Sequence, residues 1–137
     1  MKSVLNDIAK RLKKHYQLTI KSDSICIYNV RIEEIAITVN VIIYLNEMPN
    51  DTFLLRILMF PITNIVNHDN LLHTIHDLNR NTPLVLYYFD EKNIDLLAFF
   101  SNVSRKKTVA DDVDFLLPLF YYNVISTYPT IMKANWQ

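Results

Sequence analysis

The chain has 137 residues, a formal net charge of zero and an apolar content of 50%. A chain of this length and composition is expected to form one domain, residues 1–137, with its own buried core, which excludes an intrinsically disordered protein. The sequence contains no glycine. Phosphate-binding loops need glycine so that backbone amides can approach the phosphates at positive φ, so the usual nucleotide-binding loops are excluded as well.

The first predicted element is a helix. Leu5, Ile8 and Leu12 recur at helical spacing and form one apolar stripe. Ser3 is the predicted N-cap, because its side-chain oxygen can accept a hydrogen bond from a free backbone amide. The basic residues of positions 10–14 follow near the C-terminal end, where the helix macrodipole favours cations.

Strand periodicity then replaces helical periodicity. The stretch IAITVNVIIYL alternates, so that Ile37, Val39, Val41 and Ile43 share one side, which is typical of a β-strand. LTI with SICIYNV before this stretch, and FLLRILMF after it, are predicted as its two neighbouring strands, with turns at SDS and NEMPND. Together these patterns predict three antiparallel strands in sequence.

A second helix is predicted for HDNLLHTIHDLN, residues 68–79. Its apolar stripe consists of Leu71, Leu72, Ile75 and Leu78. NRNTP follows, where Pro83 cannot continue a helix and biases Thr82 towards an extended conformation.

Two further strands and a third helix complete the chain. LVLYYF and IDLLAFF flank the polar stretch DEKN, which predicts a hairpin with a four-residue turn. SNVSRKKT is predicted as a basic loop, and Thr108, followed by Asp111, resembles the start of a capped helix. That helix covers DDVDFLLPLFYYNVISTY and should be kinked at Pro118, because proline removes one backbone hydrogen bond. The predicted class is α+β, with the order α-β-β-β-α-β-β-α and a five-stranded antiparallel sheet packed by helices.

The sequence also predicts the compartment. No apolar run reaches the roughly 18 residues that a membrane-spanning helix needs, and no apolar stretch of a secretory signal follows the charged start. The single cysteine, Cys26, cannot form an intramolecular disulfide and lies in a predicted strand, where a buried thiol is usual. We therefore expect a cytoplasmic protein.

The second helix holds most of the histidines of the chain. Asp69, His73 and Asp77 are spaced four residues apart and therefore lie along one ridge, away from the apolar stripe. Such a ridge could bind a divalent cation, but helical metal sites usually need further ligands from another element, and none is identifiable. We therefore expect a solvated polar face, with no metal and no other cofactor.

Two other groups can be interpreted as catalytic. Asp111, Asp112 and Asp114 resemble paired carboxylates, yet acidic residues in the first turn of a helix are explained by the macrodipole. Cys26 and His15 could form a nucleophile and base only if the thiol were accessible and in an electropositive setting. Neither group amounts to a catalytic signature, so we expect no enzymatic activity.

Basic residues cluster at positions 10–14 and at Arg105–Lys107. A locally basic helix face is normally solvated. Nucleic-acid binding usually requires a stronger basic excess than a chain of zero net charge provides, so we do not expect nucleic acid as a partner.

The predicted strands carry more apolar surface than one core needs. FLLRILMF, LVLYYF and IDLLAFF are apolar on both faces, whereas a sheet covered on one side alternates apolar and polar residues. The last helix is similar, since Phe115, Leu119 and Tyr122 lie off the stripe formed by Val113 and Phe120, and it is expected to be buried nearly all round. Either a strongly twisted sheet encloses its own helices, or a second chain covers the other sheet face.

The layout of the elements resembles the type III secretion chaperone-like fold and, within it, the YbjN-like family of small bacterial proteins. The local likeness is best in LLHTIHDLNRNTPLVLYYFDEKNIDLLAFF, where a short helix ends in an asparagine-containing turn and enters a hairpin, before the longer C-terminal helix. The resemblance implies a small cytosolic αβ module that acts by protein contact, often as a dimer and without a cofactor. It supplies no catalytic residues, and the hairpin turn lacks the glycine of the usual family pattern.

The sequence thus predicts a non-enzymatic protein-binding module, either chaperone-like or a regulatory adaptor, that binds a protein partner or forms a homodimer. The predicted interface consists of Leu55, Ile57, Leu86, Tyr88, Phe99, Phe120 and Tyr122. The alternative is a small inhibitor or immunity-type protein from a mobile element, which would block one enzyme or nucleoprotein through a charged surface.

Overall fold

The computed structural model of the chain describes residues 2–81 and 84–137. Within these residues the chain folds into three α-helices, six β-strands and one short 3₁₀ turn, Glu33–Ile35. In chain order the helices and strands are α1 (Lys2–Leu12), β1 (Gln17–Lys21), β2 (Ile25–Ile32), β3 (Ile37–Met48), β4 (Thr52–Ile62), α2 (His68–Asn81), β5 (Leu86–Phe89), β6 (Leu96–Arg105) and α3 (Val109–Trp136). The predicted helix stop at Pro83, with its effect on Thr82, lies outside the described residues.

The described strands form one antiparallel sheet in the order β1-β2-β3-β4-β6-β5. The α+β class, with helices packed on an antiparallel sheet, is therefore confirmed. The predicted number of five strands is wrong, because the described sheet has six. The difference arises at SDS, which separates two complete strands, β1 and β2, so that four strands precede α2 instead of three.

Several turns adopt positive φ without glycine. Asn50 and Asp51, at the tip of the β3–β4 hairpin, have φ values of 64° and 53°, and Asn64 and Asn93 are left-handed as well. Asparagine and aspartate tolerate this region because their short polar side chains hydrogen-bond locally. Ala36, with φ of 54°, has no such side chain and closes the 3₁₀ turn between β2 and β3.

The β5–β6 hairpin has a longer loop than predicted. The loop covers residues 90–95, because β5 ends at Phe89 and β6 begins at Leu96. The Asp90 carboxylate accepts hydrogen bonds from the backbone amides of Ile94 and Asp95, at 2.8 and 3.1 Å, and so organises the loop. At its other end β6 continues to residue 105, so most of the predicted basic loop SNVSRKKT is strand.

One side of the sheet, which we call the covered face, packs against the helices. The hydroxyl of Tyr28 in β2 donates a hydrogen bond to the carbonyl of Ala9 in α1, at 3.2 Å. The buried hydroxyls of Tyr87 in β5 and Thr127 in α3 share another. Strand residues of the covered face that are buried in the core include Cys26, Val41, Ile43, Leu45, Leu55, Ile57, Met59 and Ala98.

Helix α2 lies beside α3 on the covered face, over the edge strand β5. The ring of His68 stacks on Phe89, with centroids 4.1 Å apart. The Asn79 side chain bonds both backbone polar groups of Tyr87: Nδ2 donates to the carbonyl at 2.8 Å, and Oδ1 accepts from the amide at 2.7 Å. These bonds occupy backbone groups at the outer edge of β5, where another strand could otherwise pair.

The helix boundaries differ from the predicted ones in two places. Helix α1 begins at Lys2, so Ser3 lies inside it and is not its N-cap. Helix α3 continues through Pro118 and Pro129 to Trp136, well beyond the predicted stretch, while the kink at Pro118 stays a prediction. None of the helices within residues 2–81 and 84–137 is both long enough and apolar enough to cross a membrane.

Candidate protein-binding surface

The other side of the sheet carries no helix of the described chain, and we call it the open face. Directly paired residues point to the same side of a sheet and alternate residues to opposite sides, so the strand registers assign each side chain to a face. By this rule the open face holds half-buried or exposed residues from every described strand, in contrast to the buried residues of the covered face.

One apolar residue from each described strand forms a row across the open face. The row follows the direct pairs of the sheet and consists of Ile20, Ile27, Ile42, Leu58, Phe99 and Leu86. Because neighbouring strands lie about 4.8 Å apart, the row is roughly 24 Å long. Its members are half-buried by one another, except Ile20 at the β1 edge, which is exposed. We call this set the apolar row.

Further apolar side chains extend the apolar row towards both ends of the strands. Tyr88 packs edge-to-face on Phe99, with ring centroids 6.2 Å apart, and is still 46% exposed. Leu54 and Leu97 are half-buried, and Val103 is exposed. Large continuous apolar patches are uncommon on soluble monomers and usually mark interaction sites.

An arginine lies within this apolar surface, beside the apolar row. Arg56 is half-buried between Leu54 and Leu58 on β4. Its guanidinium carbon lies 5.2 Å from the centroid of the Tyr44 ring, and its Nη2 donates a hydrogen bond to Oδ1 of Asn46 at 2.6 Å. The Nε atom is buried and has no hydrogen-bond partner among the described residues. Arg56 also forms no ion pair within the described chain, which leaves a half-buried guanidinium without a counter-charge on the open face.

Polar side chains border the open face where β2 and β3 meet the 3₁₀ turn. The Asn29 side chain donates to Oδ1 of Asn40 at 3.3 Å, and Nη1 of Arg31 donates to Oγ1 of Thr38 at 3.3 Å. An apolar centre beside a polar rim is the usual anatomy of a protein–protein interface.

The structure separates the seven residues predicted as the interface into three groups. Leu86, Tyr88 and Phe99 lie together on the open face. Leu55, Ile57 and Phe120 lie in the core between the covered face and α3, so a partner cannot reach them in the folded chain. Leu55 and Ile57 alternate along β4 with the half-buried positions of the open face, and Phe120 belongs to the buried stripe of α3. Tyr122 lies on α3, away from the sheet, and is exposed.

The expectation that α3 is buried nearly all round is wrong. Val113, Leu117, Phe120 and Val124 form its buried stripe. Phe115, Leu119 and Tyr122 instead form an exposed ridge on the outer side, which we call the α3 ridge, and two of its rings are 68% exposed. The α3 ridge is a second apolar surface, on the opposite side of the molecule from the open face.

The polar face of α2 is solvated. Asp69, His73 and Asp77 are exposed, and no group of three or more histidine, cysteine or acidic side chains within residues 2–81 and 84–137 could hold a metal ion. Leu72 was predicted in the apolar stripe but is 48% exposed, whereas Leu71 and Ile75 are buried.

The residues considered for catalysis have structural surroundings. Asp111 and Asp114 both accept hydrogen bonds from Nη1 of Arg11, at 2.7 and 2.9 Å, and so join α1 to the start of α3. These hydrogen bonds raise the pKa of Arg11 above its ordinary value. Cys26 is buried on the covered face, where desolvation raises the pKa of its thiol, and His15 is exposed. A buried thiol with a raised pKa is a poor nucleophile.

The two basic clusters do not form one surface feature. Lys10, Lys13 and Lys14 are exposed at the end of α1. Arg105 is the last residue of β6, and Lys106 follows it with its backbone amide donating to the carbonyl of Asp51 at 2.8 Å. In the second cluster, Arg105 lies on the open face, because it pairs with Thr52.

Sequence reasoning missed the centre of the open face. Ile42, Leu58 and Arg56 were not singled out, although each alternates with residues recognised as one side of a strand. That alternation was a usable signal for strand phase. The pairing that aligns Ile42, Leu58 and Phe99 across three strands was not readable, because register depends on turn geometry and on contacts between distant segments.

No protein-family model matches the chain, and no curated protein is significantly similar to it in sequence.

Proposed function

We propose that this chain is a non-enzymatic, cytoplasmic protein-binding module, chaperone-like or a regulatory adaptor, and that its open face is the binding surface. The observation that carries the proposal is the apolar row, which crosses the sheet on the side where no described helix packs. Covering this row would remove apolar side chains from water, which is the main favourable term in protein association. A second copy of the chain and a foreign protein are both occupants that this function admits.

The resemblance to the YbjN-like family points to the same kind of activity but carries less weight. The described order contains one strand more than the order on which that resemblance was based. The proposal therefore depends on the open face and not on membership of a family.

An inhibitor or immunity-type protein is the second candidate, and Arg56 favours it. A half-buried arginine without a carboxylate partner suits one acidic target better than a range of apolar clients. This candidate predicts a single target bound one-to-one, with affinity that falls as salt is added, whereas a chaperone-like module binds several apolar clients with little dependence on salt.

The test is purification of the tagged chain from its own host under native conditions, with light scattering for the mass of the complex and identification of each copurifying chain. Two matched variants decide which surface binds: Leu58→Glu on the open face and Phe115→Glu on the α3 ridge. We expect Leu58→Glu to remove the copurifying protein or the dimer, and Phe115→Glu to retain it.

The opposite pattern, with loss in Phe115→Glu alone, would assign binding to the α3 ridge. A wild-type chain that elutes as a monomer without any copurifying protein would contradict the proposed function. Circular dichroism of both variants must match the wild type, so that loss of binding is not caused by unfolding. This control matters most for Leu58, which is half-buried, whereas Phe115 is exposed.

A further inference from the structure

The open face carries charge of one sign. Among its described strand positions the charged residues are Arg31, Arg56 and Arg105, and none of these positions holds aspartate, glutamate or lysine. Arg31 has an acidic neighbour at the rim, since its Nε lies 3.6 Å from Oε1 of Glu33. Arg56 has no such neighbour in the described chain. The surface therefore combines apolar side chains with unbalanced positive charge.

We propose that the open face binds an acidic, apolar segment of another protein, with a carboxylate of that partner bound to the guanidinium of Arg56. This inference rests on the proposed role of the open face as a protein-binding surface, which an adaptor and an inhibitor share, and adds the chemistry of the partner. The side chain of Arg56 is half-buried on the open face and has no acidic partner among the described residues, so a carboxylate of the partner would supply the missing counter-charge. Hydrogen bonds between ionised groups are about twice as strong as neutral ones, so this contact gives specificity as well as affinity.

A second copy of this chain is the less suitable occupant. In a two-fold dimer each subunit presents the same surface, so the open face would meet another open face. Arg56 lies on β4, one of the two central strands, and a two-fold axis near the apolar row would bring both copies of Arg56 into the interface. Neither copy offers a carboxylate from the described strands of this face. Buried like charges without counter-charges oppose association.

Nucleic acid also fits this surface less well than protein. Bases bind open sheets by stacking on free aromatic faces. Here the apolar row is aliphatic apart from Phe99, whose ring packs against Tyr88, and the ring of Tyr44 is covered by Arg56. The chain as a whole has zero net charge, so it lacks the basic excess that phosphate binding requires.

The experiment uses the full chain and two fluorescently labelled synthetic helical peptides, each about five turns long. The peptides share one leucine-rich face and differ only at the flanking positions, which hold glutamate in one and lysine in the other. Fluorescence anisotropy at low salt measures both affinities. We expect the glutamate peptide to bind at least about tenfold more tightly. Arg56→Met should bring the two affinities together while both peptides still bind.

Arg80→Met is the matched control, because Arg80 is an exposed arginine on α2, away from the open face. It should keep the wild-type preference for the glutamate peptide. Equal binding of both peptides by the wild-type chain, or tighter binding of the lysine peptide, would overturn the inference while leaving the proposed function in place. Binding of neither peptide would overturn the inference alone, because the proposed function is tested by the copurification experiment.

Three further measurements identify the other occupants. A concentration-dependent dimer in light scattering that Leu58→Glu abolishes would overturn the inference in favour of a second copy, and would still support the proposed function. Binding of labelled oligouridine, or of phosphatidylserine vesicles, that Leu58→Glu abolishes and that excludes the glutamate peptide would overturn both. The inference stands if the dimer, the oligouridine complex and the vesicle complex are all absent and the glutamate peptide binds more tightly than the lysine peptide.

Discussion

The two faces of the sheet are made by alternate residues of the same strands, and both are rich in apolar side chains. On β4 the covered face holds Leu55 and Ile57, which are buried, whereas the open face holds Leu54 and Leu58, which are half-buried. Apolar composition therefore does not distinguish the faces. What distinguishes them is the layer of helices, which lies on one side within the described chain.

Polar groups on the two faces differ in the hydrogen-bond partners that the described chain supplies. On the covered face, Tyr28 and Tyr87 place their hydroxyls against partners in α1 and α3. On the open face, Arg56 keeps a buried Nε without any partner in the described residues. Buried polar groups are normally hydrogen-bonded. Among the described residues the helices also hold two unpartnered buried atoms, Nε2 of His68 and the hydroxyl of Tyr121, so Arg56 is distinguished by its positive charge.

The largest effect expected from this comparison is a difference between two adjacent leucines. Leu55→Ala should lower the free energy of unfolding by about 2–5 kcal/mol, because it opens a cavity under α3. Leu54→Ala, on the open face, should lower it by about 1 kcal/mol, because its half-buried side chain leaves no enclosed cavity. Urea unfolding of the isolated chain measures both. Equal losses would show that the open face is covered by this chain or by a second copy in solution.

Alkaline pH should weaken the covered face. Burial raises the pKa of Tyr28 and Tyr87 on the covered face, and of Tyr121 in the α3 helix that packs on it, above the ordinary tyrosine value of about 10. Below that value the phenols are neutral in both states, and the stabilisation is fully present. At higher pH the unfolded chain loses protons that the folded chain retains. The free energy of unfolding should then fall by up to about 1.4 kcal/mol per pH unit for each tyrosine.

Tyr87→Phe separates this effect from a general loss of stability. At about pH 8 it should cost about 1 kcal/mol, since the hydrogen bond between Tyr87 and Thr127 is lost. Between about pH 8 and pH 11, however, its free energy of unfolding should fall by less than that of the wild type. Urea unfolding at both pH values gives the change in the free energy of unfolding between about pH 8 and pH 11 for each chain. An equal change in Tyr87→Phe and the wild type would mean that this hydroxyl ionises in the folded chain as readily as in the unfolded one.

Much of the fold could be predicted from the sequence, because apolar residues recur at helical or strand spacing within each element. The stripe of α1 and the alternation in β3 report one buried side each, and both elements formed where these patterns stand. The predicted α3 stripe was also correct, since Val113 and Phe120 are both buried. The predicted ends of strands were less accurate beside turns, as at SDS between β1 and β2 and at the loop that Asp90 organises.

The candidate surface was less predictable, for two physical reasons. Tyr88 and Phe99 were found from composition, but so were Leu55 and Ile57, because an apolar strand does not reveal which face a helix covers. The surroundings of Arg56 depend on pairing between β3 and β4 that brings Tyr44 opposite it. Such cross-strand contacts arise from tertiary structure and produce no periodic pattern in the sequence.

The smallest of these effects concerns the sheet edge, where a partner could bind without using either face. Asn79 holds the amide and the carbonyl of Tyr87 on the edge strand β5. Asn79→Ala should lower the free energy of unfolding by about 1 kcal/mol, because two backbone groups exchange these bonds for water. Asn81→Ala is the control, since the Asn81 side chain bonds its own helix at the carbonyl of Asp77. Thermal unfolding and light scattering should show a less stable Asn79→Ala chain with unchanged binding to the open face. If Asn79→Ala instead gained a new self-association that Leu58→Glu did not remove, the β5 edge would be a third surface, which Asn79 blocks in the wild type.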